Sequence, residues 1–117
     1  MTVTATFATP HASRYLQQLC KHFAHKVPAT FDERHGEVTF QQGGCVLDAD
    51  SESLVMQCTA DNPEAEPALV KIVVVHLERF AWKEGSLDLT WLRDGQPADD
   101  LMEKLRAMPD PHGNKPD

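Results

Sequence analysis

The spacing of apolar residues changes several times along this chain, and that succession constrains the fold more than composition does. Val3, Ala5 and Phe7 alternate with Thr2, Thr4 and Thr6, the two-residue period of a strand with one buried face. The period then lengthens to that of a helix, with Ala12, Tyr15, Leu16, Leu19 and Phe23 on one side of a segment from Pro10 to Lys26. Thr9-Pro10 supplies an N-cap followed by proline at the first helical position, and Pro28 drives Val27 out of helical backbone, so this helix ends near Lys26.

Strand spacing then returns. Ala29 and Phe31 point inward, His35-Gly36 supplies a turn, and Val38 and Phe40 come back, a register that sets Phe31 opposite Phe40 and Arg34 opposite Glu37. Gln42-Gly43 makes the next turn, leading into Cys45, Leu47 and Ala49. The loop Asp50 to Ser53 then pairs Ala49 with Leu54, Leu47 with Met56 and Cys45 with Cys58. Asp61, Asn62 and Pro63 open a second helix, with Pro67 able to delay its regular hydrogen bonding. Leu69, Ile72, Val73, His76, Leu77 and Phe80 form its stripe, and Gly85 ends it. Leu87, Leu89 and Trp91 alternate as a last strand; after Asp94-Gly95, Ala98, Leu101, Met102, Leu105 and Met108 outline a short amphipathic helix. Pro109 to Asp117 has the composition of a disordered tail.

The order β-α-β-β-β-β-α-β predicts an α+β two-layer sandwich, an antiparallel sheet with both long helices on one face. Up to the second helix it is compatible with a TATA-binding-protein-like topology. One domain is expected over residues 1–96, with the short helix and tail over residues 97–117. A net charge of −7 opposes both nucleic acid and anionic membrane surfaces. No apolar run is long enough to span a bilayer, and the first residues lack a signal-peptide pattern, so a cytoplasmic protein is expected. There its three cysteines would stay thiols, with Cys45 beside Cys58 but unbonded.

Two helical segments carry the candidate chemistry: Cys20-Lys21-His22-Phe23-Ala24-His25-Lys26 and His76-Leu77-Glu78-Arg79-Phe80. Cys20 and His22 lie about 160° apart around a helix and cannot chelate one ion. His22 and His25 share a flank at i,i+3, as do His76 and Arg79, so adjacent helices could bring His22, His25, His76 and Arg79 to one groove walled by Phe23, Phe80 and Trp82. Such a groove suits a small ligand or anion. A stable zinc site needs three or four ligands, and no tight cluster supplies the rest. Lys26 reads as a helix-end residue that snorkels. No P-loop, G-x-G-x-x-G, H-E-x-x-H or G-x-S-x-G is present in the sequence, which leaves catalysis without support.

The run from Ser13 to Pro28, with His76-Leu77-Glu78-Arg79-Phe80-Ala81 and Trp91, resembles a bacterial family, domain of unknown function 2218, over roughly residues 2–93. The resemblance implies a small cytoplasmic bacterial domain without an established activity, and an iron-related ligand. The reading is therefore a domain that binds a small molecule, a metal or an iron chelate in a histidine-lined groove. The alternative is a homo-oligomeric interaction module without catalytic activity, a homodimer for instance, whose uncovered sheet face, with Val46, Val55, Gln57 and Thr59, meets a second copy.

Overall fold

The computed structural model describes residues 2–85, 87 and 89–108. The chain runs β1 (Thr2–Ala8), α1 (Ala12–Ala24), β2 (Ala29–Phe31), β3 (His35–Phe40), β4 (Gly43–Ala49), β5 (Ser53–Ala60) and α2 (Glu66–Phe80). A short 3₁₀ turn (Trp82–Glu84), the strands β6 (Leu92–Arg93) and β7 (Gln96–Pro97), and α3 (Asp99–Ala107) follow. The strands form one antiparallel sheet in the order β2-β3-β4-β5-β1-β6-β7. Helix α1 packs over β2 to β5 and α2 over β4 and β5, and among the described residues no helix covers the other face, where Glu37, Asp48 and Gln57 are exposed. This is the α+β two-layer sandwich expected from the apolar periods.

The helices begin and end where local chemistry directs. Helix α1 starts at Ala12, with His11 rather than Thr9 at its N-cap; the Thr9 hydroxyl accepts the His11 N–H in the turn before it, and after the helix the Lys26 and Val27 N–H groups both return to the Phe23 carbonyl. Pro67 sits in the first turn of α2, and the Ala65 N–H just before that helix is taken by the Asn62 side chain at 2.9 Å. The delay expected from Pro67 is real: regular helix starts at Glu66, three residues after Pro63.

Two turns differ from their sequence reading. The β2–β3 connection is Asp32 to Arg34, because the Asp32 carboxylate accepts the N–H groups of Arg34 at 2.7 Å and His35 at 2.9 Å. Phe31 therefore pairs with Gly36 rather than Phe40, and its ring is exposed instead of facing inward. Gly36 is a strand residue, not a turn residue. A Cβ there would meet Cys20 Sγ at 2.6 Å, so its missing side chain lets α1 lie close. The next turn is Gln41-Gln42, with Phe40 paired to Gly43. Gly43 is extended at positive φ (146°), and a Cβ on it would meet the Thr59 carbonyl oxygen at 2.2 Å, so this glycine serves the approach of β5.

The β4–β5 hairpin matches its expected register, with Ala49 opposite Leu54, Leu47 opposite Met56 and Cys45 opposite Cys58. Alternate residues of these strands point into a core with Leu16, Leu19, Leu69 and Leu77, all fully buried. Each such leucine contributes about 1.5–3 kcal/mol by leaving water.

The C-terminal strands differ again. Leu87 and Leu89 are partly buried and Trp91 is buried, but among the described residues the pairing of this segment starts at Leu92, which lies opposite Thr4. Asp94 and Gly95 both take positive φ (55° and 79°), the geometry of a two-residue hairpin turn, and set Leu92 against Pro97. Helix α3 then packs Leu101 and Leu105 into the same core and accepts Lys71 Nζ at the Leu105 carbonyl, 2.8 Å away. Arg93 bridges the buried Glu66 and the exposed Asp100. The tail expected from Pro109 lies outside the described residues.

Candidate functional site

Helices α1 and α2 lie against one another, and the seam between them carries two imidazoles. His22 comes from the last turn of α1 and His76 from the second half of α2; their ring centroids are 4.7 Å apart, with planes at 43°. His76 is buried, and its Nδ1 lies 2.7 Å from the Ile72 carbonyl oxygen. Since a carbonyl only accepts, that nitrogen carries a proton and fixes the ring against its own helix. Phe23 stands edge-on to both His76 (5.0 Å) and Phe40 (4.9 Å), and Phe80 is edge-on to His22 at 5.8 Å.

These side chains border a pocket of about 200 Å³ lined by His22, Phe23, Lys26, Val27, Phe40, Ile72 and His76. Of the four residues expected to share a groove, the structure brings His22 and His76 together. His25 is exposed just past the end of α1, with its N–H on the His22 carbonyl, and Arg79 lies one turn beyond His76; neither lines the pocket. Trp82, expected as a wall, is 69% exposed. The pocket falls on the i+4 side of His22, where Lys26 stands, and on the i−4 side of His76, where Ile72 stands. Sequence reasoning assigned no ligand role to Lys26, Val27, Phe40 or Ile72. The inward alternation of β3 did mark Phe40 as a buried residue, and its ring meets Phe23 from the last turn of α1.

The chemistry available is narrow. Among the described residues, no group of three or more His, Cys, Asp or Glu side chains is placed to hold a metal ion. The cysteines are free and buried, and Cys45 and Cys58 approach to 3.7 Å between sulfurs without a bond. Burial pushes the Cys20 thiol up to about 11; the hydrogen bond shared with Cys58 and burial raise Cys45 as well. Such thiols are poor nucleophiles.

A second histidine site lies on the open sheet face. His35, expected at a turn tip, opens β3 and places Nδ1 2.6 Å from Asp48 and Nε2 2.9 Å from Glu37. The hydrogen bond to Asp48, then that to Glu37, holds its pKa up at about 9. The two carboxylates meet opposite edges of one ring, so they cannot converge with it on a single ion.

No curated protein matches the chain. An NMR structure of PA4090 from Pseudomonas aeruginosa shares the fold at a TM-score of 0.66 and 26% identity, over 81% of this chain and 97% of that one. Residues 4–92, from β1 to the first residue of β6 and including both imidazoles of the seam, match the family described as uncharacterized protein conserved in bacteria. The chain belongs to that family, domain of unknown function 2218.

Proposed function

We propose that this domain binds a small molecule in the pocket between α1 and α2. The observation that carries the reading is the approach of His22 and His76, from separate helices, on the wall of an otherwise mostly apolar pocket. A few convergent polar groups in an apolar recess are the usual makeup of a small-ligand site. The size agrees with a modest ligand, because an apolar cavity of about 150 Å³ can hold a benzene ring. Direct metal binding has less support, since the expected partners His25 and Arg79 stand outside the lining. The open sheet face gives the interaction-module alternative less support as well. Asp48, Gln57 and Thr59 are exposed there beside half-buried Val46 and Val55, the mixture of a sheet that faces water.

NMR titration of the full chain against a panel of neutral, cationic and anionic fragments tests the reading. Saturable shifts should appear together at the His22 and His76 imidazoles and at the Phe23 and Phe40 rings, and Zn²⁺ alone should produce none. The reading fails if no fragment gives saturable shifts at these four residues at millimolar concentration. It also fails if Zn²⁺ alone saturates the two imidazoles, which would return the site to metal binding.

A further inference from the structure

The chemistry of the pocket lining selects among occupants. Among the described residues, the polar side chains that line it are His22, His76 and Lys26, all nitrogen bases that are either neutral or positive, with no carboxylate beside them. The chain as a whole is acidic, with a net charge of −7, so an anion finds no attraction at long range. Anion preference must therefore be built locally, and the pocket is where the lining has that sign. Lys26 borders the pocket from the exposed turn just after α1, whereas His76 on its wall is buried. The occupant's charged end would accordingly face Lys26 and its body would go inward.

The inner wall determines what that body is. Phe23 stands nearly perpendicular to Phe40 (82°) and steeply inclined to His76 (65°), so rings already pack edge to face around the recess. Another ring joins such a cluster with the offset or edge-on contacts that aromatic groups favour. The volume of about 200 Å³ accommodates one ring with a short substituent. Resting on the ligand-binding reading above, we infer that the pocket takes a monocyclic aromatic acid, its ring against Phe23 and Phe40 and its anionic group toward Lys26.

Benzoate, benzyl alcohol, benzylamine and hexanoate, titrated into the full chain and followed by NMR at the two imidazoles and the two phenylalanine rings, test this inference. Benzoate should bind most tightly, with benzylamine weakest. Lys26→Met should weaken benzoate about two- to five-fold, the range for an exposed ion pair, and leave benzyl alcohol unchanged. Lys26 lies at the surface, so this variant should fold normally, and an unchanged amide spectrum verifies that. Equal binding of benzylamine and benzoate, or an undiminished benzoate affinity in Lys26→Met, overturns the anion preference while leaving a ligand pocket intact. Hexanoate binding as tightly as benzoate overturns the aromatic preference alone. No binding by any of the four overturns the inference, and the wider fragment panel then decides whether the ligand pocket falls with it.

Discussion

The two faces of the sheet treat the same residue types in opposite ways. On the covered face, Gly36 is pressed against Cys20 of α1, Cys45 is buried beside Cys58, and His76 on α2 is tied to a backbone carbonyl. On the open face, Gly44 has room, Val46 is half in water, and His35 is held between two carboxylates. Neighbours in one strand thus answer to different physics, packing on one side and screened electrostatics on the other. Substitutions on the covered face should be costly through space and desolvation, and those on the open face should be small and sensitive to pH or salt.

The largest contrast should come from the glycines. Gly36→Ala places a methyl group 2.6 Å from Cys20 Sγ and 3.3 Å from Phe31 Cβ, and overpacking of this kind costs about 1–3 kcal/mol. In Gly44→Ala the nearest atom is the Val38 carbonyl oxygen at 3.7 Å, so that variant should be neutral or gain up to about 1 kcal/mol from a stiffer unfolded chain. Urea denaturation measures both. The attribution to α1 is sharpened by repeating Gly36→Ala in a Cys20→Ala background, where its cost should fall. Similar destabilisation by the two single variants would break the contrast.

The distinction explains what was legible in the sequence. Alternation shows which strand residues face inward, and with the four-residue loop Asp50 to Ser53 it placed Cys45 opposite Cys58. Helical spacing likewise brought His22 and His76 to one seam. Alternation does not show why a residue is small. Gly36 looks like half of a turn, but it is small because a thiol from another element occupies the space, a contact visible only in three dimensions. The turn is made instead by Asp32, whose carboxylate accepts two backbone N–H groups. His25 and Arg79 stand outside the pocket lining for a related reason. A flank defined by i,i+3 spacing says two side chains are neighbours, and only packing of α1 on α2 decides that the i+4 and i−4 neighbours, Lys26 and Ile72, border the pocket.

A middle-sized contrast lies between adjacent residues of β4. Cys45→Ser keeps the volume but puts a hydroxyl where the side chain is 2% exposed beside another thiol, which should cost about 1–2 kcal/mol in denaturation midpoints. Val46→Thr changes a half-exposed side chain facing the other way, and it should stay within about 0.5 kcal/mol. Equal losses would mean that the open face is covered in solution, as the homodimer alternative requires, and the mass from light scattering would then decide.

The smallest effect concerns His35, and its sign follows from linkage. The hydrogen bond to Asp48 first, and to Glu37 second, raises the folded-state pKa from the ordinary 6.5 to about 9. The folded state therefore binds the proton more tightly than the unfolded chain does. The stabilisation is complete below about pH 6.5 and is lost as pH rises through about 9. Its size is limited by exposure, since the imidazole is 45% accessible and its carboxylate partners 63% and 56%. In NMR titrations the His35 ring should show a midpoint near 9. Asp48→Asn should lower it more than Glu37→Gln, because the Asp48 contact is shorter and is the principal cause. The stability difference between wild type and His35→Gln should be level in acid, shrink from pH 7 to 10, and diminish with added salt. A His35 midpoint near 6.5 would show that the ring does not hold both carboxylates in solution, and the open face would then lack the electrostatic tie that joins β3 to β4.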